Sequence, residues 1–261
     1  LFPWLYFSMR VKFFKFCRKK YGTIYPIMKP VCILNQNAPL QVFRELESYG
    51  FLPLPLPPHP DLMPREAAHA DMQFCKISRN FLVFAPNTDE AFIETLKKQG
   101  ISVQEGETRL KPDYPGNIAY NILTAEKLFF HNLPFSDPLT TALLQRRGLS
   151  GVKIKQGYAA CSAAAITGSD GAFCLLTGDR GILLAAERQH LGTVFLSDRE
   201  IVLEGFPHGF AGGCCGVFQN TLYTCGTLSD GVRQALRLRG ISVVSLYDGP
   251  LTDIGGLLFC G

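Results

Sequence analysis

The sequence predicts an α/β fold, a five-bladed α/β propeller of ββαβ repeats closed by pairing of the C-terminal strand into the first unit. Three observations predict it. A strand, turn, strand, helix, strand grammar recurs along the chain. Its helices end at Gly50, Gly100, Gly148, Gly192 and Gly240, which are 50, 48, 44 and 48 residues apart, a period typical of repeat architectures. The first unit lacks an opening strand, while residues 254–260, IGGLLFC, are left over at the end. A linear stack would need two polar caps, so a first unit completed by the last strand predicts a closed ring.

In order along the chain, the first unit supplies a strand at 31–35, a helix at 39–49 and the apolar run 51–54. Prolines crowd residues 53–64, and their fixed φ predicts an extended connector between units, with a lid over the central opening as the functional alternative. The second unit is the most legible. Residues 71–77 favour a strand, Ser78-Arg79-Asn80 is a turn cluster, and 81–84 is a run of four apolar residues suited to a buried strand. Asn87 and Thr88 then stand as helix caps, and Ala91, Phe92, Thr95 and Leu96 share one helical face before Gly100 and the strand 101–103. The third unit repeats the order at 117–123, 127–131, 138–147 and 152–154. The fourth does so at 162–167, 172–176, 180–190 and 194–196, and the fifth at 213–218, 221–225, 230–239 and 241–246.

With 261 residues, 47% hydrophobic and 18% charged, the chain can bury a sizeable core, and the repeat makes residues 28–261 one domain. A net charge of +4 is mild and its basic residues are scattered, which argues against nucleic acid as a partner. Residues 1–27 are basic and aromatic with no acid, and Arg10, Lys12 and Lys15 interrupt a short apolar opening, so the expectation is a leader outside the fold and no membrane span. The nine cysteines form no CxxC pair and no zinc-spaced cluster. That usage fits a reducing cytoplasm with most thiols packed as small core residues, and it implies no metal site. No P-loop, GxGxxG, HExxH or GxSxG motif is present, so no cofactor is expected.

In a ring of this kind the first residues of the inner strands meet at the centre. The candidates are His69 and Asp71, Asn117 and Tyr120, Cys161 and Ser162, Cys214 and Cys215, and Asp253 and Cys260. His69-Ala70-Asp71 would place imidazole and carboxylate on one strand face, as a base with its orienter or as two ligand-binding groups; a structural hydrogen bond to a neighbouring loop is the alternative for His69. Gly212-Gly213-Cys214-Cys215-Gly216 weakens a strand unless a ligand or another backbone comes close, and neighbouring strand residues would aim the two thiols to opposite faces.

These residues carry a resemblance. Five ββαβ units closed by the last strand resemble the guanidino-group-modifying enzyme fold, or pentein fold, of arginine deiminases, dimethylarginine dimethylaminohydrolases and amidinotransferases. The segment Ala70-Asp71-Met72-Gln73-Phe74 with Ser78-Arg79-Asn80-Phe81-Leu82-Val83 is similar to the stretch in which those hydrolases carry a substrate-binding Asp, which implies that role for Asp71. Ile254-Gly255-Gly256-Leu257-Leu258-Phe259-Cys260 resembles the strand of their nucleophilic Cys, with Cys260 at or one residue from that place. The stretch 158–163, where they carry an acid-base His in the fourth unit, contains none here. Residues 28–261 resemble most an uncharacterised bacterial family of this fold with GGCCG-like and DIGG-like segments.

The expectation is therefore a pentein-fold protein binding a small guanidino- or amino-acid-like ligand, with Asp71, Asn117, Ser162, Cys214 and Asp253 as contacts. A Cys-dependent hydrolase or amidinotransferase is the first alternative. It would attack a guanidinium or amidine carbon through Cys260, with Cys161 or Cys215 as substitutes and His69 as base. A non-catalytic scaffold is the second.

Overall fold

The computed structural model describes residues 29–261, and the leader expected at 1–27 lies outside them. The first unit holds β1 (Val31–Asn35), α1 (Leu40–Ser48) and β2 (Leu52–Leu56). The second holds the single turn α2 (Ala70–Gln73), β3 (Phe74–Ser78), β4 (Phe81–Phe84), α3 (Glu90–Lys98) and β5 (Ser102–Glu105). The third is β6 (Leu123–Ala125), β7 (Leu128–His131), α4 (Pro138–Arg146) and β8 (Ser150–Lys153). The fourth is the turn α5 (Ala159–Ser162), β9 (Ala163–Thr167), β10 (Phe173–Thr177), α6 (Arg180–Arg188) and β11 (Gly192–Phe195), followed by the short β12 (Ile201–Val202). The fifth is β13 (Cys215–Phe218), β14 (Thr221–Thr224), α7 (Asp230–Arg237) and β15 (Ser242–Ser245), and then come β16 (Leu251–Thr252) and β17 (Leu258–Cys260).

Each unit from the second to the fifth forms a three-stranded sheet in which an antiparallel hairpin is followed, across its helix, by a parallel strand. In the first unit β17 supplies the missing antiparallel partner, with Val31 opposite Cys260 and Ile33 opposite Leu258. Pro53 and Pro55 sit inside β2 rather than in a connector, because β2 is the outer strand of its sheet and pairs only with β1, so a proline without an N–H is tolerated. Core formation follows the pattern of the helices. α3 buries Phe92, Ile93 and Leu96 against Leu82 and Ile101. Asp89, Asp137 and Asp179 cap α3, α4 and α6 by accepting from Phe92, Thr140 and Ile182 backbone N–H groups. Asn87 and Thr88 are therefore not the caps of α3. Asn87 lies two residues upstream with a φ of 69°. At the fourth unit His190 rather than Gly192 takes the left-handed position that ends the helix, and Gly192 opens β11.

The inner strands begin later than the sequence pattern predicts. One helical turn precedes β3 and another precedes β9, while residues 117–122 and 213–214 enter β6 and β13 as irregular backbone. The β-favouring composition is overridden at 71–73, while 74–77 form the strand as expected, because backbone groups of these entries are bonded across units and not along a ladder. Asp71 N–H donates to Gly255, Gly213 N–H to Cys161, and Ile254 and Gly256 N–H both to Gly213. The expected strand-face pairing of His69 with Asp71 is thereby corrected: positions i and i+2 of a helical turn point apart.

Phe259 ties the last strand to its neighbours. It is 1% exposed, with ring centroids 4.8 Å from Phe51, 5.8 Å from Phe218 and 5.2 Å from Tyr223, so one side chain joins β17 to the fifth sheet and to the entry of β2. Truncating it leaves a cavity among three aromatic rings. Phe259→Ala should destabilise the protein by about 3 to 5 kcal/mol in denaturant unfolding, and a loss below about 1 kcal/mol would mean that β17 is a peripheral strand.

Candidate functional site

The entries to the inner strands converge on Asn121, which lies between β6 and the second and fourth units. Its side-chain Oδ1 accepts from the backbone N–H groups of Ala160 at 2.8 Å and Cys161 at 3.1 Å. Its Nδ2 donates to the Asp71 carbonyl at 3.0 Å and lies 2.9 Å from Cys161 Sγ. One buried amide thus fixes both helical turns. The sequence pattern named Asn117 and Tyr120 here and missed Asn121. A polar residue between apolar Tyr120 and Ile122 was the available signal, but its partners lie roughly 40 to 50 residues away in the chain.

Asp71 is the anomaly at this centre. Both carboxylate oxygens are buried, no N–H or O–H group of the described residues donates to them, and the donor nearest at hand is the Cys161 thiol. Burial pushes its carboxyl up to about 7, and the neighbouring Asp253 adds to the effect. The Cys161 thiol beside it offsets part of this. Asp253, pushed up to about 6 by burial, is satisfied: its Oδ1 accepts from Gly255 N–H and its Oδ2 from Phe210 N–H, both at 2.9 Å. Gly255 and Gly256 have φ near +79° and +78°, and the backbone there comes so close that a side chain at 255 would collide with His69. A Cβ at 256 would lie 3.4 Å from the Gly212 carbonyl and 3.6 Å from Asp71 Oδ2, so the Gly256 turn packs directly against the enclosed carboxylate.

Beside this turn lies a cavity of about 570 Å³ whose lining includes Asp71, Lys76, Arg79, Cys215, Gly256 and Phe259. The structure brings Asp71, Cys161, Asp253 and Cys215 into one neighbourhood, and of these Asp71 and Cys215 line the cavity. The Cys214 and Cys215 thiols both donate to the Ala211 carbonyl, at 3.2 and 2.9 Å, instead of facing opposite sides, because Cys214 precedes the strand. His69 is 5% exposed at the start of α2, and burial lowers its imidazole to about 4, which keeps it neutral. Cys260 is packed in the core among Val31, Ile33 and Phe74, where burial pushes its thiol up to about 11. Asn117 lies apart from the cavity, donating to Glu66 Oε1 at 2.8 Å and Tyr158 Oη at 2.9 Å. Ser162 is fully buried with its hydroxyl unpartnered. Tyr120 donates to the Thr108 carbonyl at 2.8 Å.

All eight described cysteines are buried and unpaired. Burial raises the Cys32, Cys161 and Cys225 thiols, and Cys214 is raised first by its contact with Cys215. Such thiols are poor nucleophiles at neutral pH. Among the described residues no three His, Cys, Asp or Glu side chains are grouped to hold a metal ion, and no helix is long and apolar enough to cross a membrane.

Repeated ββαβ units of this kind make a pentein-like α/β arrangement. Residues 33–258 match the family described as Family of unknown function (DUF6873), and the chain belongs to it. No curated protein sequence matches the chain. Among solved structures it is similar to SxtG, an amidinotransferase from Microseira wollei in the saxitoxin biosynthetic pathway. That likeness has 9% identity and a TM-score of 0.51, and covers 87% of this chain and 90% of that one. It is also similar to ArgZ, an arginine dihydrolase from the ornithine-ammonia cycle in Cyanobacteria, at 11% identity and a TM-score of 0.49 over 88% of this chain. The chain spans 39% of the length of that dihydrolase. The likeness to SxtG is evidence for the fold alone.

The raised carboxyl has a consequence for stability. Folded Asp71 holds its proton up to about pH 7, whereas an unfolded Asp releases it near pH 4, so the folded state binds more protons between these values and stability falls as pH rises through them. Asp71→Asn removes this penalty. The variant should gain about 2 to 4 kcal/mol relative to wild type on going from pH 4 to pH 8, measured by urea unfolding, and a difference independent of pH would show an ordinary, solvated carboxylate.

Proposed function

We propose that this protein binds a small cationic ligand of the guanidino or amidine class, with Asp71 as the recognising carboxylate, and that its five units close into a five-bladed ring around the cavity. The observation that carries the reading is the Asp71 carboxylate, buried at the cavity without an N–H or O–H donor among the described residues. A buried charge is normally paired, and a carboxylate accepts two parallel charge-assisted hydrogen bonds from a planar guanidinium. Antiparallel pairing of β17 with β1 supports the ring. In this reading Asp253 and Asn121 are positioning residues: the first holds the Gly255 turn and the second holds the Asp71 and Cys161 backbones. Residues 28–261 act as one domain, and the unpaired thiols support a reducing, cytoplasmic setting.

One observation favours a second reading, a Cys-dependent hydrolase or amidinotransferase. Cys215 lines the same cavity as Asp71. A Cys215 thiolate would add to the amidinium carbon to form a C–S bond, and the C–N bond would then break as the leaving amine takes up the proton that the thiol had released. His69 stands neutral against the Gly255 turn and does not line the cavity, so no base is aimed at that thiol. Binding is accordingly the better-supported function.

Binding should tighten as pH rises through about 7, because the cation requires Asp71 ionised. Calorimetric titration with butylguanidine and with the neutral butylurea tests the reading. Wild type should prefer the guanidine by at least about tenfold at pH 8, and Asp71→Asn should abolish the preference. Equal affinity for both compounds would overturn it. Cys215 should also be the described thiol modified first by a small alkylating reagent, with butylguanidine protecting it, as read by peptide mass spectrometry. Faster labelling of Cys260 or Cys161 would contradict that arrangement.

A further inference from the structure

Lys76 on β3 is an enclosed amine that cation binding at Asp71 leaves unused. Its Nζ donates to the Phe259 carbonyl at 2.6 Å, and no described carboxylate lies within ion-pair distance of it. A carbonyl dipole compensates a buried ammonium only in part, whereas a neutral amine makes the same hydrogen bond and keeps its lone pair. Lys76 lines the cavity of about 570 Å³, so a small molecule admitted there meets its side chain.

A second cation stands beside it. Lys76 and Arg79 would point to opposite faces of a regular strand, but the β3–β4 ladder shifts register between Lys76 and Ser78, and the consecutive residues 76–79 all line the cavity. Arg79 Nε donates to the Gly261 carbonyl. The Phe259 and Gly261 carbonyls are two residues apart, which in extended chain sets them on one side at roughly 7 Å. Of two positive groups held so close, the amine is the one able to yield its proton, because a guanidinium stays charged in proteins.

The other titratable groups near Lys76 do not restore its charge. Burial lowers its pKa from the ordinary value, and Arg79 acts in the same direction. Cys260 on β17 and Cys32 on β1 act in the opposite direction, but only as thiolates, and burial raises both thiols so that they are neutral near pH 7. A desolvated lysine beside another cation is the usual setting of an amine nucleophile.

We propose that Lys76 is a nucleophilic residue of this cavity, which captures a small aldehyde or ketone as an imine. The amine lone pair adds to the carbonyl carbon and forms a C–N bond. The resulting hydroxyl then leaves with the remaining N–H proton as water, and the C=N bond forms. This activity goes beyond the cation binding assigned to Asp71, since it uses a different side chain and a neutral ligand group.

The experiment is reductive trapping of wild type with propionaldehyde and sodium cyanoborohydride at pH 7, with peptide mass spectrometry ranking the described lysines by rate. Hydride from the reagent fixes each imine as a secondary amine. Lys76 should be labelled at least about tenfold faster than the exposed Lys97, Lys98 and Lys127. That advantage should vanish in urea, where the cavity is lost, and should narrow toward about pH 10 as exposed amines lose their own protons. Labelling of Lys76 no faster than that of the exposed lysines at pH 7 would overturn the proposal. An advantage that survives in urea would overturn it too, because the reactivity would then owe nothing to the fold.

Discussion

Burying the Asp71 carboxylate with no N–H or O–H donor among the described residues is the constraint on which the centre of the molecule turns. A buried acid is tolerated because it holds its proton, and its raised pKa expresses that physical choice. Everything around it serves its position. The Asp71 N–H is bonded to Gly255, its carbonyl to Asn121, and the Gly255-Gly256 turn is fixed in turn by Asp253 and by Gly213. Four of the five units and the final segment therefore meet in one hydrogen-bonded knot, and the carboxylate is the group in it left over for something else.

The repeat also explains how so small a set of rules yields a site. Each unit packs a helix face on its own sheet, while the entries to the inner strands take part of their backbone bonds from other units. They bond across units, and this is why helical turns stand where a strand pattern would suggest extended chain. The aromatic contacts of Phe259 with Phe51, Phe218 and Tyr223 secure the same crossing on the apolar side. Packing and polar satisfaction are thus coupled at β17, which carries the Gly255-Gly256 turn in at one end and the partner of Lys76 further along.

Period, helix glycines and the leftover segment made the unit order and the β17 partner legible in the sequence, because those signals are local and repeat. Asp71 was named from its place at a strand entry and from the family resemblance, and the structure puts it in the cavity lining. Asn121 was not named, because it acquires its role from residues of two other units. Cys260 illustrates the reverse: its place in the chain suggested chemistry, yet in the strand register it lies opposite Val31 and points into the core with Ile33 and Phe74. A one-residue step along a strand reverses the face, and sequence spacing at the end of a short strand does not fix that step. The proline-rich segment, expected as an extended connector, enters β2 with Pro53 and Pro55, because β2 pairs on one side only and an outer strand accepts proline, and runs on from 57 to 64 outside any strand.

The chemistry proposed for the site is recognition. Its Cys161 thiol is enclosed and raised by burial, its imidazole is neutral, and of its two acids Asp253 is fully bonded while Asp71 accepts from no N–H or O–H group of the described residues. The most direct measurement is a ¹³C-carboxyl NMR titration of Asp71 in the empty protein and in protein saturated with butylguanidine. A midpoint near 7 in the empty protein that falls well below 5 with the guanidine is the result predicted by a buried carboxylate awaiting a cation. A midpoint near 4 in both would mean that the carboxylate is already solvated or paired, and would contradict the account at its centre.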